Sequence, residues 1–260
     1  MDFKQITSPD GQNHWIPKDL TLVFPKTRTL DRNHLHFLVY IPWEDKYFEK
    51  IPPQYREFFK YVLSYLKPRT TDVHIACVFP FLKNLTEEKK INERVIALAL
   101  ILHDSGWSQL SEQEIAASLG VSGLKLTKKA SAPKEKHALE GLRLAKKILS
   151  EYHFTPPLTA QEKHLIYQAV RYHDQPEKIA LNHQLPEEVK ILIDLDHLWS
   201  FTFENFWQDT VRKGVDPASY LGNLKIDLAA YFVTDTGKKL AKKLWQDRRT
   251  EVTSFKRHLP

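Results

Sequence analysis

The chain has 260 residues, of which 42% are hydrophobic and 27% charged. That length fits one large domain or a domain with an extension, and it can fold without disulfides or structural zinc. The lone cysteine, Cys77, excludes an intrachain disulfide and a Cys-rich zinc module.

The formal net charge of +6 favours anionic partners such as phosphate esters, nucleotides or nucleic acid. The 8 glycines form neither GxGxxG nor GxxxxGK[ST], so Rossmann and P-loop chemistry lose their sequence support. No apolar run approaches the roughly 18 residues of a membrane span. The first residues carry no apolar core of a signal peptide, and the expected location is the cytoplasm, with no membrane partner.

In chain order, residues 1–52 carry scattered prolines and two β-like runs, at 20–24 and 35–41, each ended by a proline. They read as a small extension with short strands. From residue 53 the pattern is helical. Phe58, Phe59, Val62, Leu63 and Leu66 mark a helix over 55–66, and a second over 72–82 is broken at Pro80. A third, over 86–103, carries the stripe Ile91, Val95, Leu98, Ala99 and Leu102. Ser111 with Glu114 and Thr159 with Glu162 are capping-box pairs that open further helices. Residues 120–136 read as a Lys-rich loop and 136–152 as a helix. Residues 186–207 read as one helix, and 218–231 and 237–249 complete the set. The predicted class is all-α: an extension over 1–52, a helical domain over 53–235, and a basic C-terminal helix over 236–260.

The chemistry concentrates at His103-Asp104, which ends the apolar run 95–102. An imidazole and a carboxylate at the end of a buried helix are costly without compensation, and a divalent cation compensates both. His74 lies upstream and Asp196 downstream, each inside an apolar helical run. Four such side chains from three helices can meet at one point in a bundle.

The order His74, then Leu102-His-Asp-Ser-Gly-Trp107, then Asp196-His-Leu198 resembles the HD superfamily of metal-dependent phosphohydrolases. The resemblance spans about 55–235. It implies a helical bundle, a divalent ion (Mn, Fe, Co, Ni, Zn or Mg) on His74, His103, Asp104 and Asp196, and hydrolysis of a small phosphorylated substrate. The context before Leu198 selects Asp196 over Asp194, which lies about 200° away around the helix. His137 heads a segment similar to the family's H-x-x-x-G-x-x-x-A helix. Arg171-Tyr-His173-Asp174 falls where two-metal members carry His-His or His-Glu, and Asp174 departs from that pair. His137 and His173 are thus candidates for a second metal or for phosphate contact, with Asp104 as the bridging ligand. Lys128, Lys129 and Lys136 are candidate phosphate contacts.

Two other readings stand beside this one. One is a catalytically silent HD-like binding module. The other is a nucleic-acid-binding helical protein using the basic face of Lys238, Lys239, Lys242, Lys243, Arg248 and Arg249. Nothing in the sequence indicates the oligomeric state.

Overall fold

The computed structural model describes residues 1–9, 11–24, 39–87, 91–118, 131–174 and 185–258. The architecture is all-α, with one small antiparallel sheet at the N-terminus. Strand β1 (Phe3–Thr7) pairs with β2 (Asn13–Pro17), with Phe3 opposite Pro17 and Thr7 opposite Asn13. The strands therefore lie upstream of the two predicted runs. Of the run at 20–24, only Val23 pairs, through a single bridge to Tyr40, and most of the run at 35–41 lies outside the described residues. The missed signal is Pro9-Asp10-Gly11, a turn sequence, with Gly11 at φ +85° and Ser8 accepting from the Gly11 amide at 2.9 Å.

The helices are α1 (Asp45–Glu49), α2 (Pro53–Val62), α3 (Thr71–Val78), α4 (Phe81–Thr86), α5 (Glu93–Leu102), α6 (Glu112–Ser118), α7 (Ser131–Glu151), α8 (Ala160–Tyr172), α9 (Glu187–Leu198), α10 (Phe203–Lys213), α11 (Pro217–Ala230) and α12 (Asp235–His258). Two of them are central. Every residue of α3 is buried, and so is every residue of α5 from Val95 to Leu102. A helix that is buried all round has no solvent face and must be wrapped by others. Around α5 pack α2, α8 and α9, and α7 lies against α8.

Several boundaries differ from the sequence reading. Helix α5 starts at Glu93 because Asn92 caps it, accepting from the Val95 amide. The predicted helix over 186–207 is two helices joined by a 3₁₀ turn, Trp199–Phe201. Thr202 restarts the chain by accepting from the Asn205 amide. The Thr159–Glu162 capping box closes in both directions, and Pro80 separates α3 from α4. The last helix starts at Asp235, two residues before the predicted Gly237, and runs nine past Arg249 to His258. Arg248 is not on a solvent face: it is buried, donating to the Phe201 carbonyl and to Glu251.

The hairpin and the last helix share the main core. The Phe3 ring meets Trp207 at 5.4 Å and Phe255 at 5.1 Å. Among the described residues, no helix is long and apolar enough to cross a membrane.

Candidate metal centre

Five elements deliver the polar cluster. His74 sits within α3, His103 and His173 occupy the C-caps of α5 and α8, His137 lies on α7, and Asp196 lies on α9. Asp104 follows His103 and precedes a 3₁₀ turn, Ser105–Gln109.

The two C-cap histidines are built alike. The His103 ring donates Nδ1–H to the Leu100 carbonyl at 2.7 Å, and the His173 ring donates Nδ1–H to the Val170 carbonyl at 2.8 Å. Each bond satisfies an otherwise orphaned carbonyl at a helix end. Each also fixes the tautomer, leaving the Nε2 lone pair of the neutral ring for a cation.

Asp104 divides its two oxygens. Oδ2 lies 3.6 Å from His74 Nδ1 and 3.7 Å from His103 Nε2. Oδ1 lies 3.4 Å from the Nε2 atoms of both His137 and His173, and it accepts the Trp107 indole N–H at 2.9 Å. Asp196 Oδ1 completes the first group, 3.5 Å from His74 Nε2 and 3.4 Å from His103 Nε2. Two groups of donors result, His74–His103–Asp104–Asp196 and Asp104–His137–His173, with donor atoms in each within 4.8 Å of one another.

These residues could hold a metal ion. Separations of 3.4–3.7 Å are long for hydrogen bonds. They are close to the spacing of neighbouring ligands around an ion with bonds of about 2.0–2.2 Å. His74 Nε2 and His103 Nε2 are buried without a hydrogen-bond partner, a costly state that a cation removes.

The electrostatics agree. Burial opposes ionisation of both carboxylates, yet the imidazoles around them hold Asp104 and Asp196 well below the usual carboxylate range. Burial, with a neighbouring imidazole in each case (His103 beside His74, His173 beside His137), pushes His74 and His137 down against the pull of Asp104, towards the neutral form that ligates. At His103 burial is outweighed by Asp104 and Asp196, which raise it to about 9. An incoming cation must therefore displace a proton there.

Asp194, the alternative ligand, is elsewhere. Its carboxylate accepts from the Val233 amide at 2.7 Å, the Thr234 amide at 3.0 Å and the Thr234 hydroxyl at 2.5 Å. It ties α9 to the start of α12. Asp174 is in neither group, and Lys134 donates to it at 3.0 Å. Lys136 points to the surface and pairs with Glu114 at 2.7 Å, while Lys128 and Lys129 lie outside the described residues. Cys77 is buried, with Lys50 Nζ 3.6 Å from its sulfur. Phe206 and Trp207 are core residues, whereas Trp199 stacks on His74 at 5.0 Å.

Both groups open into a cavity of about 220 Å³ whose walls include His74, Asp104, His173 and Asp196. Its remaining wall holds residues that sequence reasoning missed: Arg69, Asn205, Asp209, Arg212 and Lys213. Arg69 stacks over Trp107, with Cζ 4.1 Å from the ring centre. Asn205, Asp209 and Arg212 recur at i, i+4 and i+7 on α10, a pattern that in sequence looks like an ordinary solvent face. Compared with protein-family models, characterised proteins and solved structures, the chain matches none of them.

Proposed function

We propose that the protein is a metal-dependent phosphohydrolase acting on a small phosphorylated substrate, the activity that its resemblance to the HD superfamily implies. The observation that carries this reading is the divided carboxylate of Asp104, one oxygen facing each pair of histidines.

His74, His103, Asp104 and Asp196 are the residues that would hold one divalent ion, and Asp104, His137 and His173 those that would hold a second. Such ions supply Lewis acidity towards phosphoryl oxygens and lower the pKa of water. The chain's own residues do the rest. Asp104 fixes the spacing of the two groups, and the Trp107 indole holds its Oδ1 in place. Trp107 and Trp199 stack on His137 and His74 at 4.0 and 5.0 Å, which orients both rings and keeps water from their faces. Arg69 and Lys134 place cationic groups on the cavity wall for the phosphate oxygens.

The test is metal analysis of protein purified without chelator, followed by a screen of phosphate esters and nucleotides. About one to two divalent ions per chain and metal-dependent release of phosphate are expected. Asp104→Ala should lower turnover by about 10³-fold or more while the circular dichroism stays helical. Metal content near zero with no rebinding of Mn²⁺, Co²⁺, Ni²⁺ or Zn²⁺ would end this reading.

A further inference from the structure

The cavity also has a polar wall on α10, where Asn205, Asp209 and Arg212 are buried and Lys213 is half-buried. Asn205 and Arg212 are 2% and 8% exposed, yet Asn205 Oδ1 and Arg212 Nε have no hydrogen-bond partner among the described residues. Arg69 Nε is likewise buried without a partner. A helix face that buries unsatisfied amide and guanidinium groups costs stability. It is retained at least cost where a ligand completes those bonds.

The charge on this wall is positive. One carboxylate, Asp209, serves two cations, the Arg212 guanidinium and the Lys213 ammonium at 2.8 Å. It also accepts the Tyr220 hydroxyl at 2.5 Å. Asp209 thereby orients Arg212 and Lys213 without neutralising both. Arg69 adds a third cation, stacked over the face of Trp107.

The backbone at Arg69 is unusual too. Arg69 and Thr70 both lie in the left-handed region, at φ 60° and 64°, a strained conformation for residues other than glycine. That bend leads the chain into α3 and leaves Arg69 on the cavity wall, stacked over Trp107. Its pKa reflects the position: burial lowers it, Asp104 raises it and Arg212 lowers it further.

We propose that Arg69 and the face Asn205–Arg212–Lys213 of α10 form an anion-binding arm that grips a second phosphate of the substrate, so that the centre selects diphosphorylated or longer substrates over simple monoesters. This rests on the phosphohydrolase reading for the phosphate at the metal end. The arm itself is read from the cavity wall alone. Guanidinium groups suit the task because each offers paired donors to phosphate oxygens.

The probe pair is methylphosphonate and methylenediphosphonate, one anionic group against two, with a P–C–P bridge that resists hydrolysis. Both are titrated by calorimetry into the full-length, Mn²⁺-loaded protein, and metal content is checked afterwards. The wild type should prefer the diphosphonate, and Arg212→Gln and Arg69→Gln should each cut that preference roughly tenfold or more with metal content unchanged. Should Arg212→Gln fail to fold, Lys213→Gln, which alters a partly exposed side chain, carries the same expectation together with Arg69→Gln. A preference that survives in Arg69→Gln and Lys213→Gln, or no preference in the wild type, overturns the arm. The two readings fail separately. Loss of preference in the variants without turnover of any phosphate ester would keep the arm and remove the hydrolase. Metal-dependent turnover with an unaltered preference would do the reverse.

Discussion

Replacing Asp104 by asparagine keeps the size of the side chain and removes the charge that both groups of imidazoles share. Because its two oxygens face different pairs, Asp104→Asn should empty both positions, whereas His137→Ala should empty only the second. Metal analysis of the two variants beside the wild type checks this; equal losses would mean that the groups are not separable. Asp209 is a second residue with a sharp expectation. Burial opposes its ionisation, but Arg212 and Lys213 bring it down to about 2. A depressed folded-state pKa stabilises the fold above the unfolded value near 3.8, and that contribution disappears as pH falls from about 4 through 2. It should amount to about 2–3 kcal/mol at neutral pH. The stability gap between wild type and Asp209→Asn in urea should narrow over that interval. A gap that is flat with pH would contradict the ion pairing.

Among the elements, α7 and α12 are held by contacts too close for side chains. A Cβ on Gly106 would lie 1.9 Å from the His137 carbonyl oxygen and 2.5 Å from the Gly141 amide nitrogen. Those are backbone atoms, so Gly106→Ala must push α7 away and carry His137 with it. The expected result is loss of the ion on Asp104, His137 and His173 while the first group keeps its own, seen as a drop of one in metal stoichiometry. This close approach is the physical sense of the glycines in Leu102-His-Asp-Ser-Gly-Trp107 and His137-Ala-Leu-Glu-Gly141. At α12, Asp194→Ala leaves two amides and a hydroxyl without their acceptor, and denaturant unfolding should show a loss of about 3 kcal/mol. The sequence was most legible where a local rule decides. The apolar runs of α3 and α5, the Thr159 capping box and the break at Pro80 each depend on neighbours a few residues away. It was least legible where distant chain decides. Asp194 and Asp196 sit in the same run; the context before Leu198 selects Asp196, but that Asp194 is a tether shows only in the packing of α12. The face of α10 hides for the same reason, since nothing in residues 203–213 reveals that Arg69 lies across from them.

In the whole molecule the two ends of the described chain meet. Phe3 of the hairpin packs on Trp207 and on Phe255 of the last helix. Aromatic pairs of this kind contribute about 0.5–1.5 kcal/mol each beyond the area they bury. Phe3→Ala should therefore lower the unfolding midpoint without changing metal content, and a metal loss in that variant would show that the hairpin reaches the centre. The tether at Asp194 has a wider consequence. The helix that supplies Asp196 is secured at Val233 and Thr234, near the start of α12, and α12 is the last described element to be made. On a ribosome, the pieces bearing His74, His103, Asp104, His137 and His173 emerge first and wait for their final partner for roughly several seconds at usual rates of synthesis. During that interval the nascent chain carries an acidic, histidine-rich pocket that is not yet closed. If that pocket holds a divalent cation, a ribosome stalled before residue 233 should hold it less tightly than the released chain does, and the order of translation would then also set when the ion binds.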